Sequence, residues 1–277
     1  MSEWTPSEVD FAASLAAVQE YFARISPIVS LTLKPDLEEG FGIFLSVIND
    51  SENSARLEAF EQRSAKWKDI LVNGILSHSR ESLRITAYHA ARISRINEEV
   101  KEALKDFTLA PNQSIGGGDM VVMNAEYQAF ILSGRRCLDQ LSYAISGLFK
   151  NECSSFRELG RFLNKQKKLH HYSDPLLSIY NRHEVKFHGW LLSRESRPSV
   201  RDVLAHTKSI SVGTLNVNNG GIFFAGMDVP SAEFQYKNIA DIVLELFDKI
   251  QACVNELVAM MAENLSHFLS SMTEVTE

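Results

Sequence analysis

Eight apolar residues near the C-terminus constrain the fold more than anything else in this chain: Ile239, Ile242, Leu246, Ile250, Val254, Leu257, Met261 and Leu265. Their steps of three and four hold side chains on one face of an α-helix. A stripe running for about seven turns at 3.6 residues per turn needs an apolar partner along its whole length. It predicts a helix from about Ser231 to Ser270. Similar stripes occur at Leu57, Phe60, Ser64, Trp67, Leu71 and Ile75, and at Leu83, Ala87, Ala90, Ile93, Ile96, Val100, Leu104 and Phe107. Another runs through Tyr127, Ile131, Gly134, Leu138, Leu141, Ile145 and Leu148. Helical segments are also expected over about Ser155–His170 and Pro175–Arg194. Such stripes are core far more often than cofactor boxes.

Two stretches interrupt the helical pattern. Thr108 to Met123, with Gly116-Gly117-Gly118, reads as a flexible linker. It divides an N-terminal helical region, 1–110, from a helical bundle over 120–272. Its glycines lack both G-x-x-x-x-G-K-[ST] and G-x-G-x-x-G, and no strand precedes them, so no nucleotide cofactor is expected. Ser209–Val217 and Gly221–Val229 read as two strands around Asn218-Asn219-Gly220, a hairpin signal. The predicted fold is an all-α helical bundle with one short inserted β-hairpin at about 209–229.

The acidic start, Met-Ser-Glu-Trp-Thr-Pro-Ser-Glu, lacks the pattern of a signal peptide. No apolar run reaches the roughly 18 to 20 residues of a membrane span. Cys137, Cys153 and Cys253 are odd in number and show no CxxC spacing, so a reduced, cytoplasmic protein is expected. Net charge of −7 argues against a general nucleic-acid binder, but the charge is uneven. Lys and Arg outnumber Asp and Glu by 11 to 6 from Asn151 to Ile210, and are outnumbered 2 to 9 from Asp228 to Glu277. The basic stretch can engage a few phosphates; equally, the two charged faces can pack together.

Within the basic stretch stands Arg201-Asp202-Val203-Leu204-Ala205-His206, just after Pro198 and Ser199, which mark a helix start. A guanidinium can hold a phosphate in a planar fork, and an imidazole can move a proton near neutral pH. Together these can serve RNA cleavage through the ribose 2′-hydroxyl. The stretch resembles the Arg-x(4–6)-His motif of the HEPN superfamily, many of whose members are metal-independent ribonucleases built as small helical bundles. Arg135-Arg136-Cys137-Leu138-Asp139-Gln140-Leu141 is similar to a helix of HEPN-like bacterial proteins. The resemblance spans about Asn124 to His267. Two other matches to the spacing exist. Arg182-x5-His188 is a rival pair, and Arg84-x4-His89 lies in the middle of a predicted helix and reads as a decoy.

The resemblance implies that His206 acts on the 2′-hydroxyl, Arg201 stabilises charge on the phosphate, and Asp202 orients one of them. It also implies RNA as substrate and a homodimer that pairs two motifs. Arg135 or Arg136 with Asp139 forms either a second polar patch facing the motif or a surface ion pair. No metal set is expected: His183 and His188 are five apart, His170 and His171 are adjacent, and H-E-x-x-H is absent. Two further readings stay open: a non-catalytic helical module that binds a protein partner, and a domain that binds RNA or nucleotide without cutting it.

Overall fold

The computed structural model describes residues 36–106, 115–116, 119–194, 197–218, 221–231, 234 and 237–273. All lie in the unit spanning 35–277; the helical reading of the first 35 residues lies outside them. The chain enters through α1 (Glu39–Ile48) and α2 (Ser51–Asn73). Asp50 starts α2 by accepting from the backbone N–H of Glu52 and Asn53 at 3.1 and 3.2 Å, which satisfies two donors that a helix start leaves free. α2 kinks at Ser64, whose backbone leaves the helical region. Leu57 and Phe60 are buried before the kink, Ile70 and Leu71 after it. A π-helical stretch, Gly74–Ser79, leads straight into α3 (Arg80–Ala103).

α3 packs most extensively on α4 (Val121–Ser146). The described helices on either side of residues 108–123 therefore pack directly on each other. Of that stretch, Ile115–Gly116 forms a short strand, β1; residues 107–114 and 117–118, where most of the expected linker falls, lie outside the described residues. After α4 come α5 (Phe156–Gln166), α6 (Ser173–Glu184) and the seven-residue α7 (Val200–His206). Strands β2 (Thr214–Asn218) and β3 (Gly221–Ala225) follow, then α8 (Ile239–Thr273).

All eight residues of the C-terminal stripe are buried, joined by Val243, Phe247, Cys253, Val258 and Phe268 on flanking positions. α8 is thus covered on more than one side, by α1, α3 and α6. The covering by α1 is backbone-close. A β-carbon at Gly40 would lie 2.5 Å from the Asn255 carbonyl oxygen. Gly40 N donates to Asn255 Oδ1 at 3.1 Å, and Asn255 Nδ2 donates to the Asp36 carbonyl at 3.0 Å.

Several expected boundaries move, each for a local reason. The helix expected to reach Arg194 ends at Glu184. At Gly189 a φ of +81° turns the chain, and Gly189 N donates to Leu192 O at 2.8 Å. The helix expected to reach His170 ends at Gln166, and the terminal helix starts at Ile239, beside Asn238 Oδ1, which accepts from Ala240 N at 2.8 Å. The hairpin is shorter than expected because Gly213 and Gly226, with φ of +81° and +78°, break the strands on both sides. Ile210, Val212 and Met227 beyond those glycines are buried in the core. β2 pairs antiparallel with β3, Asn218 opposite Gly221, and β1 pairs antiparallel with the other edge of β2, making a three-stranded sheet. The molecule is all-α with a small β insertion. Among the described residues no helix is long and apolar enough to cross a membrane.

Candidate functional site

Ser199 starts α7 as the sequence predicts: its backbone is extended and its Oγ accepts from Asp202 N at 3.1 Å. Asp202 is held by its neighbours. Ser193 Oγ donates to Asp202 Oδ2, and Arg201 Nη1 donates to Asp202 Oδ1 at 3.0 Å. Burial acts to raise the Asp202 carboxyl, but the bonds from Ser193, Arg201 and Ser199 outweigh it and hold the group below its usual range. Asp202 thereby holds one arm of the Arg201 guanidinium. Arg201 Nε is buried with no hydrogen-bond partner. A buried unpaired donor costs about 1–3 kcal/mol, so the protein alone leaves this guanidinium under-satisfied.

Arg201 lines an open cleft of about 510 Å³ together with Leu132, Arg135, Arg136, Asp139, Gln140, Tyr143 and Ser154. Ligand sites commonly measure about 300–1,000 Å³. Leu132, Arg136, Gln140 and Tyr143 stand three or four residues apart, so they form one face of α4. Gln140, with its amide oriented to satisfy both ends, donates to the His78 carbonyl at 2.8 Å and to Ser82 Oγ. In that orientation it accepts from Arg136 Nε at 3.3 Å. Arg136 is exposed, and the four N–H groups on its two Nη atoms have no partner among the described residues.

Arg135 and Asp139 form an ion pair four residues apart and line the cleft with Arg201 of the motif helix. The pair is more than a surface contact, because Arg135 is only 8% exposed and every arm of its fork is occupied. Its Nε donates to Asp139 Oδ2 at 2.8 Å, Nη1 to the Leu191 carbonyl at 3.0 Å and Nη2 to Ser155 Oγ at 2.9 Å. Asp139 Oδ1 in turn accepts from Phe156 N at 2.8 Å, capping α5. This clamp fixes three chain segments around the cleft and neutralises its own charge. Arg136, with no carboxylate partner among the described residues, and Arg201, paired with Asp202 through one arm, are the cleft's remaining cations.

His206 stands apart from this cleft. Five residues rotate a helical side chain by about 140° from Arg201 and advance it by about 7.5 Å. The imidazole is exposed at the end of α7 and is not among the residues lining the cavity. On the same helix Val200 is buried, and Val203 and Leu204 are half-buried. Sequence reasoning joined Arg201 to His206, whereas the fold joins Arg201 to Arg136. Gln140 and Tyr143 were missed, although their spacing from Arg136 on the exposed side of the α4 stripe was a readable signal.

The rival pair is separated by its carboxylates. Arg182 is tied to Glu256, while His188 Nε2 lies 2.7 Å from Glu184 Oε1, and neither lines the cleft. The buried histidine between them is His183, whose Nε2 lies 3.0 Å from Glu256 Oε2. Arg84 joins Arg80 on Glu38, and His89 Nδ1 lies 2.7 Å from Glu126 Oε2, so this match to the spacing is two separate structural contacts. Cys137, Cys153 and Cys253 are free and buried. Burial pushes the Cys137 thiol up to about 12, far from a ready nucleophile. Among the described residues no group of three or more His, Cys, Asp or Glu is arranged to hold a metal ion. Comparison of the chain with protein-family models, with curated proteins and with solved structures finds no match.

Proposed function

We propose that the protein binds RNA at the cleft between α4 and α7, with Arg136 and Arg201 holding a backbone phosphate. The observation that carries this reading is the convergence of two guanidinium groups with spare donors on one open cavity that also has Tyr143 on its wall. A guanidinium fork matches phosphate oxygens in geometry and charge. A tyrosine ring offers a face for a base, worth about 1–3 kcal/mol where a base stacks on it.

Metal-independent cleavage of HEPN type is the second reading, favoured by the exposed His206 at the end of the same helix. Because His206 is absent from its own cleft, that reaction calls on a second copy of the chain, as the paired motifs of the HEPN resemblance imply. The imidazole would take the 2′-hydroxyl proton, the oxygen would attack phosphorus, the P–O5′ bond would break, and a proton returned through the imidazolium or water would complete the 5′-hydroxyl. The products are a 2′,3′-cyclic phosphate and a 5′-hydroxyl.

Fluorescence anisotropy with a labelled single-stranded RNA in EDTA, followed by product sizing on a gel, tests both. Arg136→Ala and Arg201→Ala should each weaken binding about ten- to hundred-fold, the range of a charged hydrogen bond. His206→Ala should leave binding intact and slow any cleavage by about 10² to 10⁴. In the dimer, mixing Arg201→Ala with His206→Ala chains restores part of the cleavage. Wild-type protein that binds no RNA sinks the proposal; one that binds without cutting leaves the first reading and removes the second.

A further inference from the structure

We infer that the cleft is one end of a longer track, and that Arg194 and Arg197 carry further phosphates of the same single-stranded RNA; this rests on the RNA-binding reading above. The two arginines face each other across a tight turn. Arg194 N donates to Arg197 O at 3.2 Å, and Arg197 N donates to Arg194 O at 2.8 Å. Both side chains are exposed, and neither has an ion-pair partner among the described residues. Glu195 and Ser196 lie outside the described residues.

Much of the positive charge on this surface is neutralised, although Arg157, Lys165 and Lys168 are likewise exposed with no ion-pair partner among the described residues. Lys66, Arg95, Lys101, Lys105, Arg161 and Lys249 each sit on a carboxylate. An acidic protein has carboxylates to spare, yet among the described residues Arg136, Arg194 and Arg197 have none. Unpaired cations repel one another and are useful chiefly to an outside anion.

The turn is also anchored where a track would need it. Ser193 Oγ accepts from Ser199 N at 3.1 Å and donates to Asp202. Arg201 N donates to the Trp190 carbonyl at 3.0 Å, and Arg135 holds the Leu191 carbonyl from below. Trp190, Leu191 and Leu192 are buried. Arg194 is therefore one residue, about 3.8 Å of chain, from the serine that touches Asp202, beside Arg201. A rigid base with arginines leaving it in sequence suits a flexible polyanion better than a single small anion.

The test is the salt dependence of binding. A labelled 12-nucleotide oligouridine is titrated with wild type, the double variant Arg194→Ala/Arg197→Ala and the control Lys249→Ala, from about 50 to 300 mM KCl. Each phosphate neutralised on a single strand contributes about 0.7 to the slope of log K against log salt. The double variant should lose about 1.4 of slope and bind more weakly at low salt, while the control keeps the wild-type slope. A double variant with the wild-type slope overturns the track but leaves the cleft reading intact, provided Arg201→Ala still weakens binding. Wild type that fails to bind the RNA at all removes both. Equal competition by a polyglutamate peptide of matched charge overturns the assignment to nucleic acid.

Discussion

Replacing Arg135 by Ala should be among the most damaging single changes in the molecule, and its cost can be apportioned in advance. The change removes three hydrogen bonds, to Asp139, Leu191 and Ser155, from a side chain that is almost wholly buried. It also strands the Asp139 carboxylate, part-buried at 27% side-chain exposure. Removing one partner of a buried pair costs about 3–5 kcal/mol, most of it from the charge left behind. Asp139→Ala should lose the pair and also the cap on α5, the latter worth about 1 kcal/mol. Asp139→Asn keeps an acceptor for Phe156 N and should cost less than Asp139→Ala. Urea unfolding of the two alanine singles and their double reads the coupling: the double should cost clearly less than the singles added together, because it leaves no orphan charge. A cost below about 1 kcal/mol for Arg135→Ala, or strict additivity, would refute the clamp. Arg136→Ala, one residue along on the exposed side, should stay within about 0.5 kcal/mol of wild type.

Gly40→Ala should destabilise by about 1–3 kcal/mol through overpacking against the Asn255 backbone, whereas Gly42→Ala, with nothing within 4 Å, should stabilise by up to about 1 kcal/mol of helix propensity; denaturant midpoints that move in the same direction for both would refute the α1–α8 contact. Tyr127→Phe removes the bond from the buried phenol to the Asp228 carbonyl at 2.9 Å and should cost about 1 kcal/mol, read by thermal unfolding; no loss would mean that this bond does not tie the hairpin's exit to α4. Burial lowers the His183 pKa below its usual value despite the bond that its ring makes to the Glu256 carboxylate, so the unfolded chain takes up the proton first as pH falls. The contribution to stability is therefore full above about 6.5 and is lost as pH drops toward the folded value. His183→Gln should flatten the stability curve between about pH 7 and 5, and a variant curve parallel to wild type would count against this.

The elements built on repeating apolar steps were legible in the sequence. Ile239 to Leu265 and Tyr127 to Leu148 lie where the periodicity put them, because burying a helical stripe is a local property with a global reward. Ser199 was legible too, since capping involves residues three apart. The hairpin was readable in kind but overextended. Gly213 and Gly226 were in plain view, yet that both would take positive φ depended on Ile210, Val212 and Met227 turning into the core. The site was only half legible. Arg201 could be singled out by its chemistry, whereas Arg136, 65 residues earlier on another helix, could be offered only together with Arg135 as one of two candidates beside Asp139. His206 was joined to Arg201 by sequence spacing, which on a helix is an angle as well as a distance. Arg135 and Asp139 were legible as a helical ion pair four residues apart, but the Leu191, Ser155 and Phe156 backbone and side-chain groups that make them a clamp come from distant or later segments.

The Gly40–Asn255 contact has a consequence for the order in which the chain can assemble. The two residues are 215 positions apart, so α1 has no partner for its backbone-close face until α8 has been made. At about 5–20 residues per second that interval lasts roughly 10–40 s. During it Leu37, Phe41 and Phe44, all buried in the finished molecule, have yet to gain their seat on α8. The first described helix to be synthesised is thus among the last that can dock, and the nascent chain carries a sticky leading edge for most of its synthesis. Aggregation in a cell-free translation reaction should therefore fall when a holdase chaperone is supplied during elongation and change little when it is added after release.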